Sequence, residues 1–376
     1  MRSAEELCTA LTAPDLATLL SALRAIVARP QWALALGACR GRDVIDVLLR
    51  LADAARGRSD GRLYVATLSE FEDPRVLAFF KHVFAAAADA ETTFLAARGL
   101  ARQRRESLRA FLGPYLLGND AARARAAADL LAGCPSLSMP ERVRVAMLGE
   151  TRQEAPALDA ETLPLWLAEL DGPFAPDART RLERQGAPAF ACLAGLWDRL
   201  PLEARVWLLR WGVEQWPSRM HALLVNALES ESDDVVLAAL RLIAELEDTA
   251  PCARAVSRFA EHPDVAFRLA AVRAGATGFD WREVFTREPD PAVRLACIAR
   301  LGAEEGSAAI PDLVVWLQSE DWPTRAAARD ALVRLGAAVT EEVEPLTRSV
   351  DEGVRAVAVR ILSAVVIAPG RDENTR

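Results

Sequence analysis

Gly57, Ser59 and Gly61 reproduce the spacing Gly-x-Ser-x-Gly, which in hydrolases holds a nucleophilic serine on a strained turn between a strand and a helix. That chemistry needs the strand, whereas the preceding Val44, Leu48, Leu51 and Ala55 recur at helical spacing. The motif therefore reads as a polar loop between helices. No Gly-x-Gly-x-x-Gly, phosphate-binding loop or His-Glu-x-x-His occurs. The three histidines, His82, His221 and His262, are too scattered for a metal site. The six cysteines, Cys8, Cys39, Cys134, Cys192, Cys252 and Cys297, form no Cys-x-x-Cys pair and read as reduced small hydrophobes. The expectation is a chain with no metal, no cofactor and no catalytic role.

Two groups of side chains could instead bind. Trp197, Trp207, Trp211 and Trp216 fall within twenty residues, and Trp207 and Trp211, four apart, share one helix face. Such a pair could line an aromatic groove for a partner helix or a flat ligand, or fill the interior where irregular helices meet regular ones. Arg98, Arg102, Arg105 and Arg109 recur at intervals of four, three and four, one stripe on a single helix, with Arg104, Arg123 and Arg125 close in sequence. A stripe of guanidiniums could bind an acidic partner, or could simply be a solvated helix face. The Trp207/Trp211 pair and the Arg98 to Arg109 stripe are the candidate binding residues.

The elements that would position these residues emerge from internal repetition. From residue 233 onward one pattern recurs: an Asp, an apolar residue three later, small or apolar residues at plus six and plus seven, and another at plus eleven. The copies start at Asp233, Asp264, Asp290, Asp321 and Asp351, separated by 31, 26, 31 and 30 residues, room for two short helices and two turns. The Asp stands where it can cap a helix N-terminus or occupy its first turn. The small residues share one face and let a neighbouring helix approach closely. An Arg follows four residues after the Asp in four copies: Arg268, Arg294, Arg325 and Arg355. These are expected to stack structurally with aspartates of adjoining units. Between them, Ile310, Leu313, Val314 and Leu317 form the apolar face of a partner helix.

The stretches DPAVRLACIARLG at 290–302, DEGVRAVAVRIL at 351–362 and DVAFRLAAVRAG at 264–275 resemble the HEAT repeats, in particular the short bacterial, phycobilisome-lyase-like type. The resemblance covers about residues 218–366. Leu237 departs from it in place of the Arg, and Thr324 in place of an aliphatic. It implies an all-α fold, an α-solenoid (superhelix) of HEAT-like helical hairpins, used as a scaffold or adaptor that binds another protein. Some HEAT-repeat enzymes build a di-iron centre from His-Glu pairs; here only the reversed Glu261-His262 occurs, which excludes that class. The remaining alternatives are a bilin-lyase-like or DNA-glycosylase-like enzyme, and a dedicated immunity or assembly-chaperone protein.

Upstream the repetition weakens. Asp120 with Arg123, Ala126, Ala127 and Leu131 fits loosely, as does Thr93 with Ala96, Ala97 and Ala101. Asp73-Pro74 with Val76, Phe79, Phe80 and Phe84 has the capping logic but bulkier contacts. Compositional seams at Gly133 to Pro140 and Gln153 to Pro164 suggest a degenerate N-terminal helical region over 1–135 and irregular helical repeats over 136–217. Regular repeats would then fill 218–366, with a disordered tail at 367–376.

Across its 376 residues the chain carries 53 Asp+Glu against 45 Lys+Arg, a net charge of −8, which argues against a general nucleic-acid binder. With 52% hydrophobic residues it can bury a large core. It has no uncharged apolar run of the ~18 residues a membrane span needs. Glu5 and Glu6 stand where a signal peptide would be basic. A cytoplasmic protein away from the membrane is expected.

Overall fold

The structure, a computed structural model, describes residues 44–54, 61–69, 71, 73–101, 105–149, 156, 158–159 and 161–367, with isolated positions before residue 26. The Gly57/Ser59 motif, most of the second seam and the tail from Pro369 lie outside the described residues. Every regular element among the described residues is helical. The chain divides into two compact units, Met1–Cys192 and Leu193–Arg376. This division falls at neither of the boundaries expected at 135 and 217.

In the first unit, α1 (Val44–Ala54) pairs with α2 (Gly61–Leu68), α3 (Pro74–Ala86) with α4 (Ala90–Leu100), and α5 (Arg105–Leu116) with α6 (Ala121–Leu131). The second helices α2, α4 and α6 pack in a row. The unit continues with α7 (Met139–Leu148), α8 (Leu163–Leu170) and α9 (Ala175–Gln185), and ends within α10 (Ala187–Ala194). Asp120 caps α6 by accepting from the Arg123 amide at 2.9 Å. Asp89, not Thr93, caps α4, and Thr93 is buried one turn in, its hydroxyl donating to the Asp89 carbonyl. Asp73 does cap a helix, but α3 is the first helix of its hairpin, so this copy is not in register with the others. Its bulky Phe80 and Phe84 are fully buried, because a first helix meets its partner through large side chains.

The second unit opens with α11 (Leu202–Gln215). Five hairpins follow: α12 (His221–Ala227) with α13 (Asp233–Ile243), α14 (Ala253–Ser257) with α15 (Val265–Arg273), α16 (Trp281–Arg287) with α17 (Pro291–Glu305), α18 (Ile310–Leu317) with α19 (Trp322–Leu335), and α20 (Thr340–Val343) with α21 (Glu352–Ile367). Each second helix packs on the next, giving the row α11, α13, α15, α17, α19, α21. This is an α-solenoid of helical hairpins, as the repeats predict.

The repeat residues do the work their spacing implies. Asp264 accepts from the Ala266 amide at 2.7 Å, Asp290 from Ala292 at 2.8 Å, Asp321 from Thr324 at 3.0 Å and Asp351 from Gly353 at 2.7 Å. These bonds satisfy amides that no helical carbonyl can reach. Asp233 instead lies in the first turn of α13, whose cap is Ser232. Small residues set the closeness of the row: a Cβ on Gly302 of α17 would stand 3.3 Å from the Ala331 Cβ of α19. Ile310, Leu313 and Leu317 are buried from α18. Thr324 is buried without penalty, since its hydroxyl donates to the Asp321 carboxylate at 2.5 Å.

Candidate protein-interaction surface

The arginine that follows each cap has a structural task. Arg268 Nη1 donates to the carbonyls of His262 and Pro263 at 2.9 and 2.8 Å, Arg294 Nη1 to those of Glu288 and Pro289 at 3.2 and 3.4 Å, and Arg355 Nη1 to those of Ser349 and Val350 at 2.7 and 2.8 Å. Arg325 reaches the Ser319 carbonyl through Nε at 3.0 Å. The guanidinium fork ties the turn between the two helices of a hairpin to the second helix, using carbonyls the first helix leaves unpaired. The expected ladder of Arg and Asp between units becomes a direct ion pair from Arg325 to Asp351, at 3.5 Å, whereas Arg268 and Asp290, and Arg294 and Asp321, act on each other through charge. At Arg325 the turn carbonyl, at 3.0 Å, stands closer to the guanidinium than the next aspartate. Arg268 also binds Glu288 in the next hairpin at 2.8 and 3.0 Å, which raises its own pKa. Burial pushes the Glu288 carboxyl up, but the bonds from Arg268 and the Asp290 amide outweigh it and leave the group below its ordinary value.

The tryptophans form one stacked group and one separate member. Trp207 lies against Trp211 with ring centres 5.3 Å apart and planes 19° from parallel, and Trp211 meets Trp216 at 5.7 Å. Trp197 stands apart under the Arg205 guanidinium, 5.7 Å from its carbon. Trp197 and Trp211 are buried, so they fill the interior; Trp207 and Trp216 are half-buried.

The arginine stripe is not on one helix. Arg98 lies exposed in the last turn of α4, which ends at Leu100, and Arg109 belongs to α5. The repeat needs a chain reversal here, and regular spacing across a turn does not place side chains on one face. Arg102 lies outside the described residues, as does the side chain of Arg105. Arg109 forms a two-pronged pair with Glu141 at 2.9 and 3.1 Å, while Ser138 donates to the same carboxylate from hydroxyl and amide, both at 2.7 Å. Burial pushes the Glu141 carboxyl up, but these bonds outweigh it and leave the group below its ordinary value. Arg123 closes on the carbonyls of Phe84, Ala85 and Ala87, and Arg125 pairs with Asp177 at 3.0 Å. Three of the seven guanidiniums thus hold helices together.

Outside all the residues expected to bind, a groove of about 660 Å³ lies on the exposed side of the row, between the end of α13 and α15, α17 and α19. Ala292, Ala296 and Ala299 of α17 form its floor, and Arg273, Arg300 and Arg334 line it. Arg300 is held by Glu304 at 2.7 Å. Arg273 and Arg334 are exposed. The signal was present: Arg241, Arg273 and Arg360 each stand nine residues after a cap, at Ser232, Asp264 and Asp351.

No group of three or more His, Cys, Asp or Glu able to hold a metal occurs among the described residues. His262 accepts from the Asp264 amide at 3.1 Å and packs on Phe267, and His221 meets the Asp248 carbonyl at 2.9 Å, so both serve turns. No helix among the described residues is long and apolar enough to cross a membrane.

Comparison with known proteins agrees with these hairpins. The profile of the family described as HEAT repeats matches residues 280–363. No curated protein matches the sequence. Among solved structures, an engineered protein is similar over 97% of this chain and 99% of its own, at 18% identity and a TM-score of 0.28. The karyopherin Kap121p bound to the extreme C-terminus of the protein phosphatase Cdc14p is similar at 14% identity and a TM-score of 0.47. Kap121p bound to Pho4p is similar at 14% and 0.45. This chain covers 45% and 46% of those two karyopherin chains. Capped hairpins recur at a spacing near thirty residues, and the family match, which begins at the cap of α16 and ends within α21, identifies residues 280–363 as HEAT repeats.

Proposed function

We propose that the chain is a non-catalytic scaffold that holds a protein partner along the exposed side of the row of second helices in residues 193–376. The observation that carries this reading is the groove across α15, α17 and α19, an open hollow of about 660 Å³ with an alanine floor and arginine walls. A repeat array suits the task, because each hairpin is stabilised by its neighbours and its outward residues are free to serve binding. Three of the groups with shifted pKa values, Glu141, Glu288 and Arg268, are bonded across helices, as structural groups are.

The test is co-purification from the native host with the full chain as bait. A partner should be retained in a fixed ratio and lost from Ala292→Glu/Ala303→Glu, since both alanines are exposed and tolerate the change. Trp207→Ala measures the tryptophan pair; Trp211 is buried and its removal would confound binding with folding. No partner in a fixed ratio would overturn the scaffold reading, and a partner lost only with Trp207→Ala would move the surface to α11.

A further inference from the structure

We infer that the groove between α15, α17 and α19 takes an acidic segment of a partner polypeptide, with carboxylates reaching Arg273 on one wall and Arg334 on the other. This rests on the scaffold reading and specifies the partner's chemistry.

Positive charge in this groove is left uncompensated. The chain as a whole carries a net charge of −8, yet the groove lining holds three arginines and no carboxylate. The carboxylates on the same helices are engaged elsewhere. Glu304 binds Arg300 at 2.7 Å and accepts from Trp281 Nε1 at 2.6 Å, Glu305 binds Arg282 at 2.6 Å, and Asp330 binds Arg329 at 2.7 Å. Arg300 is thereby neutralised in place, while Arg273 and Arg334 make no ion pair among the described residues. Two guanidinium forks on opposite walls suit carboxylates, which they bind in two-pronged fashion. The alanine floor leaves room for a backbone between them. Arg241 and Arg360, exposed at the position of Arg273 in two other hairpins, extend the same charge along the row. Nucleic acid fits less well, because phosphate binding needs neutralisation over many sites and the rest of the chain is acidic.

The probe is a short fluorescein-labelled peptide of alternating glutamate and alanine, titrated with the full chain and followed by fluorescence anisotropy. Its glutamine counterpart and a single-stranded oligonucleotide of equal charge are run beside it. The glutamate peptide should bind, weaken with salt, and lose roughly tenfold in affinity with Arg273→Ala/Arg334→Ala. Arg273→Lys/Arg334→Lys should retain more affinity, and Arg254→Ala/Arg348→Ala, exposed arginines on first-helix segments, should leave binding unchanged. Equal loss with the control pair, no loss with either pair, or tighter oligonucleotide binding with the same arginine dependence would overturn the assignment. The two readings fail separately. A co-purifying partner that survives Arg273→Ala/Arg334→Ala ends the acidic-groove proposal alone, whereas absence of any partner ends the scaffold reading.

Discussion

Arg268 and Glu288 join consecutive hairpins of the second unit by two bonds, at 2.8 and 3.0 Å, with their side chains only 12% and 6% exposed. Arg268 simultaneously holds two turn carbonyls of its own hairpin, so one side chain links three pieces of chain.

Arg268→Ala should therefore destabilise the second unit by about 3 kcal/mol, because it strands a buried carboxylate. Arg294→Ala removes only two longer bonds to carbonyls and should cost about 1 kcal/mol. Urea denaturation followed by circular dichroism would rank them; equal effects would show that the Glu288 pair contributes nothing beyond the turn. Arg268→Lys should recover only part of the loss, since an ammonium cannot fork.

The pH dependence follows from the same carboxylate. The folded Glu288 binds its proton less readily than an ordinary glutamate of pKa 4.5, so its contribution is complete above that pH and is lost as pH falls through the lower folded value. Glu141 behaves alike in the first unit. The urea midpoint should decline with acidification below pH 4.5, and Glu288→Gln should flatten that decline in the second unit. A midpoint independent of pH in that range would refute the assignment.

Among the described cysteines, Cys297 is buried and its thiol is pushed up to about 12, chiefly by burial, with the Glu288 charge adding to it. Cys252 is raised as well, by burial and then by Asp248. Cys192 is half-buried. Thiol labelling of the native protein with peptide mapping should modify Cys192 well before Cys252 or Cys297. Simultaneous labelling of all three would mean that the second unit opens readily.

Gly99 of α4 lies flat against Phe80 of α3, and a Cβ there would come within 2.4 Å of the ring. Gly99→Ala should cost roughly 1–3 kcal/mol by overpacking. Adding Phe80→Leu should return part of that loss by making room. If the double variant is no better than the sum of its parts, the contact is not what restricts the site.

The regular repeats were legible because two independent signals coincide in them: a capping Asp and a face of small residues fixed in spacing from it. Asp264, Asp290, Asp321 and Asp351 carry both. In the first unit the signals separate. At Asp73 the cap sits on the first helix of a hairpin, and at Thr93 the cap has moved to Asp89, so a search anchored on one pattern loses register. The arginine stripe failed because helical spacing persists across the turn after Leu100, where the helix does not. The groove escaped notice because its arginines belong to neighbouring hairpins, and only the packing of α15, α17 and α19 brings them to one hollow.

The bonds that bind turn to helix, and one hairpin to the next, all join positions close in sequence. The Arg268 to Glu288 pair spans 20 residues and the Arg325 to Asp351 pair spans 26. Drawn out mechanically from the C-terminus, the second unit should therefore not give way all at once. It should yield hairpin by hairpin, each rupture releasing a length of chain set by the repeat spacings of 30, 31, 26 and 31 residues, with the highest force where Arg268 grips Glu288.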